Sequence, residues 1–428
     1  MTQTELFIDA APRHKLPTSL TSRRHPIHRW YNFIAGFSPE FVQQCIREER
    51  LGSDDAVVDP FAGLCTVLVQ ANLDGVCSFG FEAHPFFYDI SLAKIFLPRP
   101  TDLPSLQAHL ESMRPYSGDI TEIWGETASA FLSKLIPDRD LRILGSAVQL
   151  EGQLDTSLRP IYRLIVSKVL ELTAHSETDG IYKAPTTGKR SLPYETALAK
   201  TLGEIEEDLE EVGHRTPAKA ILYPLSSERM TPLKSESCSL CITSPPYLNN
   251  FDFAEMTRME LYFWRYADCW SAITERVRRR LIVNTTTAPG DLKRDQAHFS
   301  RELSDDMRSV LEPLALRLKE KRAQRPGKKD YWLLVYPYFA QMQRVFVELR
   351  RVLRSGAGFH LVVADAALYG VHIKTESLLA QLMNENGFEV QSIERLRFRG
   401  HRWKLEKRQG AGEPLGEFHV YAKRRCGQ

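Results

Sequence analysis

The chain has 428 residues, 43% of them hydrophobic and 26% charged; this balance excludes a disordered or fibrous protein, and the length allows about two or three domains. Its 56 basic side chains against 54 acidic ones leave a formal net charge of +2, so any nucleic-acid partner has to meet a local basic surface. Seven scattered cysteines argue against a disulfide scaffold, and no apolar run approaches the ~18 residues of a membrane span or forms a signal-peptide core, which points to a soluble, cytoplasmic protein with no membrane partner.

Residues 1–24 read as a polar, proline-containing arm. Ser38-Pro39-Glu40 is a helix start, with Ser at the N-cap, Pro at the first helical position and an acid in the first turn, and it predicts a helix to about Glu49. AVVDPFAGLCTVLVQANLDG (56–75) combines a β-branched run, a glycine turn and an apolar helix, and VCSFGFEAHPFFYDISLAKI (76–95) repeats strand, acid and helix. Strand, helix and strand in about 30 residues make a βαβ unit, hence a parallel sheet. From 101 to 215 the helical periodicities SLQAHLESM, TASAFLSKLI, RPIYRLIVSKVLEL and ETALAKTLGEIEEDLEEV predict a helical insertion, interrupted by a Gly/Thr/Lys-rich loop near 184–192. Strands resume at AKAILYPL and CSLCITSPPY, and DFAEMTRMELYFWRYA predicts an aromatic-rich helix whose Met256, Met259, Leu261, Phe263 and Trp264 read as core. Residues 271–330 are basic and irregular. A helix near 338–353, a glycine turn RSGAG, a strand FHLVVADA, a helix near 375–386, a basic strand or loop FEVQSIERLRFRGHRW and a last strand FHVYAKRR complete the pattern. The expected fold class is α/β, a Rossmann-like sheet built from 25–100, 216–270 and 331–428, with insertions at 101–215 and 271–330.

Two stretches carry chemistry. In an open α/β sheet, ligands bind beyond the carboxyl ends of the strands, beside helix N-termini. Asp59-Pro60-Phe61-Ala62-Gly63-Leu64-Cys65-Thr66 is such a strand end: an acid that can accept from a ligand ammonium, then a glycine that lets backbone come close. Glu82 ends the next strand and suits ribose hydroxyls. The second stretch, CITSPPYLNN (241–250), stops an apolar strand with two prolines that cannot donate to a ladder, so the chain leaves the sheet stiff and extended with an aromatic ring beyond it.

DPFAG-xx-T followed by Glu82 resembles the S-adenosylmethionine-binding turn of amino-group DNA methyltransferases, and Ser244-Pro245-Pro246-Tyr247 resembles their catalytic tetrapeptide, the serine form being most similar to the N4-cytosine branch. The match covers about 25–98 and 218–265 well and 331–425 loosely. It implies a class I methyltransferase sheet and S-adenosylmethionine as cofactor, held by Asp59, Pro60, Phe61, Ala62, Gly63, Thr66 and Glu82 with Ser38 on the flanking helix. It also implies a flipped-out base of double-stranded DNA as substrate, and a partner nuclease of a restriction or defence system. Cys65 stands where the family pattern has its second glycine, and a side chain there could crowd the cofactor. The acid that the family often shows before the catalytic strand has Ser226, Ser227 or Glu228 as its counterpart.

An exocyclic amine is a poor nucleophile whose lone pair is delocalised into the ring, so acceptors that draw it toward sp³ and hold it in place are what the chemistry needs. The Ser244 hydroxyl and the Pro245 carbonyl are such acceptors, and Tyr247 can stack on the base. Asn249, Asn250 and Asp252 suit either the same pocket or ordinary turn and N-cap roles. Phosphate-contact candidates lie in 395–408, with Arg399, Arg402 and Trp403, and in 276–280 and 317–329. N6-adenine methylation, an RNA substrate, and a DNA-binding homologue without turnover remain open alternatives.

Overall fold

A computed structural model describes residues 7–8, 21–33, 38–176, 190–213, 218–325, 329–399 and 414–426. In chain order its first elements are β1 (Phe7–Ile8), α1 (Pro39–Glu48), β2 (Ala56–Asp59), α2 (Thr66–Leu73), β3 (Cys77–Phe81) and α3 (Pro85–Ile95). The helices α4 (Leu103–Glu111), α5 (Thr121–Leu132), α6 (Asp138–Leu150), α7 (Arg159–Thr173) and α8 (Tyr194–Val212) precede β4 (Ala220–Tyr223) and β5 (Cys238–Thr243). Six helices follow: α9 (Phe253–Met256), α10 (Arg258–Phe263), α11 (Trp270–Arg276), α12 (Gly290–Arg294), α13 (Gln296–Glu302) and α14 (Asp305–Ala323). The chain ends with α15 (Val335–Val352), β6 (Leu353–Ala364), a hairpin of β7 (Ala366–Leu368) and β8 (Val371–Ile373), α16 (Thr375–Glu385), β9 (Phe388–Phe398) and β10 (Gly416–Arg424).

The main sheet has the order β1-β9-β10-β6-β5-β2-β3-β4. Only β10 runs antiparallel to its neighbours; every other pairing in the sheet is parallel. The sheet is therefore α/β and Rossmann-like, as its sequence pattern predicts. Val57 packs into one apolar layer and Val58 into the other, and Leu240 and Cys241 divide in the same way. Both faces are covered, which is why these strands read as continuous apolar runs. From β2 the chain steps outward through β3 to β4, then returns to the far side of β2 for β5 and β6. The order reverses between β2 and β5, and a crevice opens beyond their carboxyl ends.

Helices α4–α8 fill the segment between α3 and β4 and anchor to the sheet layer through Arg163 of α7. Its guanidinium meets Asp89 of α3 and Glu151 and donates to the Tyr266 hydroxyl at 2.7 Å. Helix α6 is missing from the sequence-predicted elements because its charged first turn hides the apolar stripe of Leu141, Leu144, Ala147 and Val148. The single helix predicted over 252–267 is two short ones: the chain breaks at Thr257 (φ −100°, ψ 15°), whose hydroxyl donates to the Phe253 carbonyl at 2.7 Å. RSGAG is no turn. It lies inside β6, where Gly356 at φ 78° and a register shift against β5 mark a bulge that keeps the strand paired.

Candidate active site

Strand β2 delivers Asp59 to the crevice, 1% exposed. The Phe61 amide donates to its Oδ1 at 3.0 Å and the Thr243 hydroxyl of β5 donates to the same oxygen at 2.7 Å. One bond spans the two strands at the switch point, and Oδ2 is left for a ligand. Burial raises the Asp59 carboxyl to about 7. Gly63 sits at φ 51° with nothing within 4 Å of where a Cβ would stand, so its backbone faces open space. Its amide donates to Glu82 Oε2 at 2.7 Å while the His84 amide donates to Oε1 at 2.6 Å. Each oxygen keeps a lone pair after these bonds. Burial, with the charge of Asp59 adding to it, raises Glu82 to about 8. Gly80 on β3 is required for close approach: a Cβ there would stand 2.9 Å from Leu68 and 3.0 Å from Ala62.

Cys65 turns its side chain away from the crevice. It adopts the left-handed conformation (φ 60°, ψ 32°), in which a glycine would be at ease. Its thiol is buried in the apolar layer behind the turn and is absent from the crevice lining.

Strand β5 ends at Thr243, and Ser244-Pro245-Pro246-Tyr247 runs on over the crevice. The Ser244 hydroxyl donates to the Tyr247 hydroxyl at 3.2 Å, which donates to Glu417 Oε1 of β10 at 3.0 Å. Arg397 Nε of β9 donates to Glu417 Oε2 at 2.6 Å. The Arg399 guanidinium lies 5.5 Å from the centre of the Tyr247 ring and donates to Asn250 Oδ1 at 3.2 Å. Because Arg only donates, this bond fixes the Asn250 amide; its Nδ2 is buried and has no hydrogen-bond partner among the described residues. Asn284 clamps the loop, donating to the carbonyls of Tyr247 at 3.2 Å and Phe251 at 3.0 Å and accepting from the Asn249 amide at 2.6 Å.

One cavity of about 610 Å³ unites these groups, a size suited to a small ligand with room to spare. Asp59, Pro60, Phe61, Ala62, Gly63, Thr66, Glu82, Ser244, Pro245, Pro246, Tyr247, Asn250 and Arg399 all line it. Sheet order divides it. Asp59, Gly63, Glu82, Ser226 and Ser227 stand over β2, β3 and β4, whereas Ser244, Tyr247, Arg397 and Glu417 stand over β5, β10 and β9. His28, Tyr31, Asn32 and Phe33 add a wall. This wall is held by Lys94, whose ammonium donates to the carbonyls of His28 and Tyr31, each at 3.3 Å; burial lowers Lys94 to about 8.

Other sequence-predicted residues lie elsewhere. Ser38 caps α1, accepting from the Phe41 amide at 3.1 Å. Asn249 turns the chain at φ 51°. Asp252 caps α9, accepting from the Glu255 amide at 3.1 Å, and pairs with Arg278 at 2.9 Å. Neither Ser38, Asn249 nor Asp252 lines the cavity. Glu228 turns away to Arg344 at 2.9 Å, so Ser226 and Ser227 occupy the strand end. Within the basic run 276–280, Arg278 is 4% exposed and Arg279 pairs with Glu275 and Asp291; only Arg280 reaches the cavity. Arg402 and Trp403 lie outside the described residues, as does most of the 184–192 loop. Sequence reasoning missed Glu417, Asn284 and Lys94, and it placed Arg397 only within a phosphate-contact run. An isolated acid opening an apolar strand was the one signal available, at Glu417.

No family model matches the chain. The type II methyltransferase M.BsoBI of Geobacillus stearothermophilus is 23% identical over 99% of this chain and 88% of its own length. The type II methyltransferase M.AvaI of Nostoc sp. is 22% identical over 89% of this chain and 82% of its own length. The chain is thus a distant relative of these proteins. Among solved structures, an S-adenosylmethionine-dependent methyltransferase from Methanosarcina mazei aligns at 9% identity and a TM-score of 0.30, covering 89% of this chain and 98% of that one.

Proposed function

We propose that this protein is a DNA methyltransferase that uses S-adenosylmethionine to methylate the exocyclic N4 amine of cytosine in double-stranded DNA. The observation that carries the reading is one cavity spanning the switch point, with two buried carboxylates and an open glycine backbone at one end and Ser-Pro-Pro-Tyr at the other. The cofactor end fits its ligand in kind: Asp59 Oδ2 is free for an ammonium, Glu82 keeps lone pairs for ribose hydroxyls, the Gly63 backbone leaves space, and Ser226 and Ser227 are polar partners for a purine ring. Bound there, S-adenosylmethionine supplies a methyl group already activated on a sulfonium.

The chain's own residues then bind and orient. A base inside a duplex cannot reach Ser244, so it leaves the stack at a cost of a few kcal/mol, offset by packing on the face of Tyr247 that Arg399 does not cover. The Ser244 hydroxyl, its own proton spent on Tyr247, accepts from the amine. The Pro245 carbonyl accepts the other amine hydrogen. Asn250 Nδ2 donates to the acceptor edge of the ring beside the amine. These bonds draw the nitrogen toward sp³ and hold it in place. On this reading duplex DNA so marked is shielded from a cognate nuclease; the relatives are type II methyltransferases.

The test is incubation with methyl-labelled cofactor and mixed-sequence duplex DNA, then hydrolysis to nucleosides. Label in N4-methylcytosine is expected, and label only in N6-methyladenine or 5-methylcytosine refutes the choice of base. Ser244→Ala is expected to lower transfer at least about 10²-fold with cofactor affinity unchanged; activity within a few-fold of wild type would remove the role given to Ser244.

A further inference from the structure

The Ser-Pro-Pro-Tyr loop leans on a residue from far along the chain. Glu417, near the start of β10, is 5% exposed and accepts from the Tyr247 hydroxyl at 3.0 Å and from Arg397 Nε at 2.6 Å. The Ser244 hydroxyl donates to the Tyr247 hydroxyl at 3.2 Å. Both hydroxyl protons therefore point one way, from the cavity toward Glu417, and the lone pairs of Ser244 are left at the cavity end.

We propose that Ser244, Tyr247 and Glu417 form a proton relay, with Glu417 as the terminal acceptor of the proton that the methylated amine must lose. The inference rests on the function proposed above and extends it to the proton's destination. As the N–C bond forms, the S–C bond breaks and its electron pair stays on sulfur, leaving a positive nitrogen that carries two hydrogens. Nitrogen passes one to Ser244 Oγ, Ser244 passes its own to Tyr247 Oη, and Tyr247 passes its own to Glu417 Oε1. The base ends as a neutral secondary amine, both hydroxyls are restored, and Glu417 holds the proton until water reaches it.

The surroundings suit this use. Burial, with the charge of Glu417 adding to it, holds the Tyr247 hydroxyl well above its usual value, so the ring passes a proton without keeping a charge. Arg397 balances the buried carboxylate, and its side chain is 40% exposed, which gives the pair an edge on solvent. The other charged groups packed nearby are committed: Arg399 to Asn250, Arg395 to the rings of Phe398 and Phe418, Asp365 to the Gly416 amide and His372, and His419 to His360.

Single-turnover methylation by the full chain on duplex DNA, at saturating cofactor across about pH 5.5–9, tests the relay with Glu417→Gln and Tyr247→Phe. Each variant is expected to react about 10²-fold more slowly, with calorimetric affinity for S-adenosylhomocysteine within about twofold of wild type. The pH profile of Glu417→Gln should differ from that of wild type. A Glu417→Gln enzyme that is slower yet keeps the wild-type pH profile makes Glu417 structural and overturns the relay. Should that variant fail to fold, Tyr247→Phe decides alone, because it keeps the ring and the Glu417–Arg397 pair; a rate within about threefold of wild type refutes the proposal. Wild type that methylates no base in DNA sinks the underlying function and the relay with it, whereas active wild type matched by Tyr247→Phe sinks the relay only.

Discussion

Asp59→Asn separates what the site costs in stability from what it gains in binding. Both hydrogen bonds to Asp59, from Thr243 and from Phe61, land on Oδ1, so an asparagine with its carbonyl oxygen in that place keeps them and changes only the charge. Burial moves this carboxyl from 3.8 to about 7. The folded protein therefore holds a proton that the unfolded chain has released over that window. Stability is highest below the unfolded value, falls as pH rises through the folded value, and is flat above it. The slope is about 1.4 kcal/mol per pH unit, hence at most about 4 kcal/mol over the whole window and about 3 kcal/mol between pH 5 and pH 8.5.

Urea unfolding of wild type and Asp59→Asn at both pH values gives the comparison. The variant is expected to gain about 3 kcal/mol on wild type at the higher pH and to lose cofactor binding at both. Wild-type cofactor affinity should weaken as pH falls below about 7, since the protonated carboxyl cannot meet an ammonium. Parallel unfolding curves at the two pH values would show that the carboxyl is not raised, and unchanged cofactor affinity in the variant would remove Asp59 from the site.

Cys65→Gly tests the turn. The thiol faces the apolar layer and the backbone is already left-handed, so cofactor affinity by calorimetry should stay within about threefold, relief of roughly 1–2 kcal/mol of backbone strain offsetting the lost packing. A large gain in affinity would mean that the side chain obstructs the cofactor after all. Arg278→Ala tests the basic run: its buried pairing with Asp252 and Glu255 makes it a scaffold residue, and removal should cost about 3–5 kcal/mol in denaturant unfolding. The salt dependence of DNA binding should not change; a slope shallower by about one would identify Arg278 as a phosphate contact.

The legible parts of the molecule are those whose reason is local. The turn from Asp59 to Thr66 and the strand end at Ser244 set out their polar groups in adjacent residues and meet in one cavity, and the alternation of apolar strands with helices was enough for the sheet. The charged segments were not legible. A run such as ERVRRR has the same composition whether it meets phosphate or folds onto carboxylates, and here Arg278 takes as its partner Asp252, itself a candidate for the base pocket from sequence. The break at Thr257 was hidden for a similar reason: its hydroxyl also meets His84 Nε2 at 3.0 Å, a bond to a residue from the other half of the site.

Glu417 shows where the limit lies. It reaches Tyr247 because β10 inserts antiparallel between β6 and β9, a pairing set by tertiary packing that no local pattern announces. The sheet order thus does two things for one cavity. The reversal between β2 and β5 lets Thr243 hold Asp59, so the strand that leads into Ser244 also orients the acid of the cofactor end. The insertion of β10 brings a carboxylate under the hydroxyls at the base end. Each end of the cavity is completed by a strand from outside its own motif, and the two ends share β5. A shift of that strand would disturb Asp59 and Ser244 together, which makes the Thr243–Asp59 bond the structural link between the two ends of the cavity.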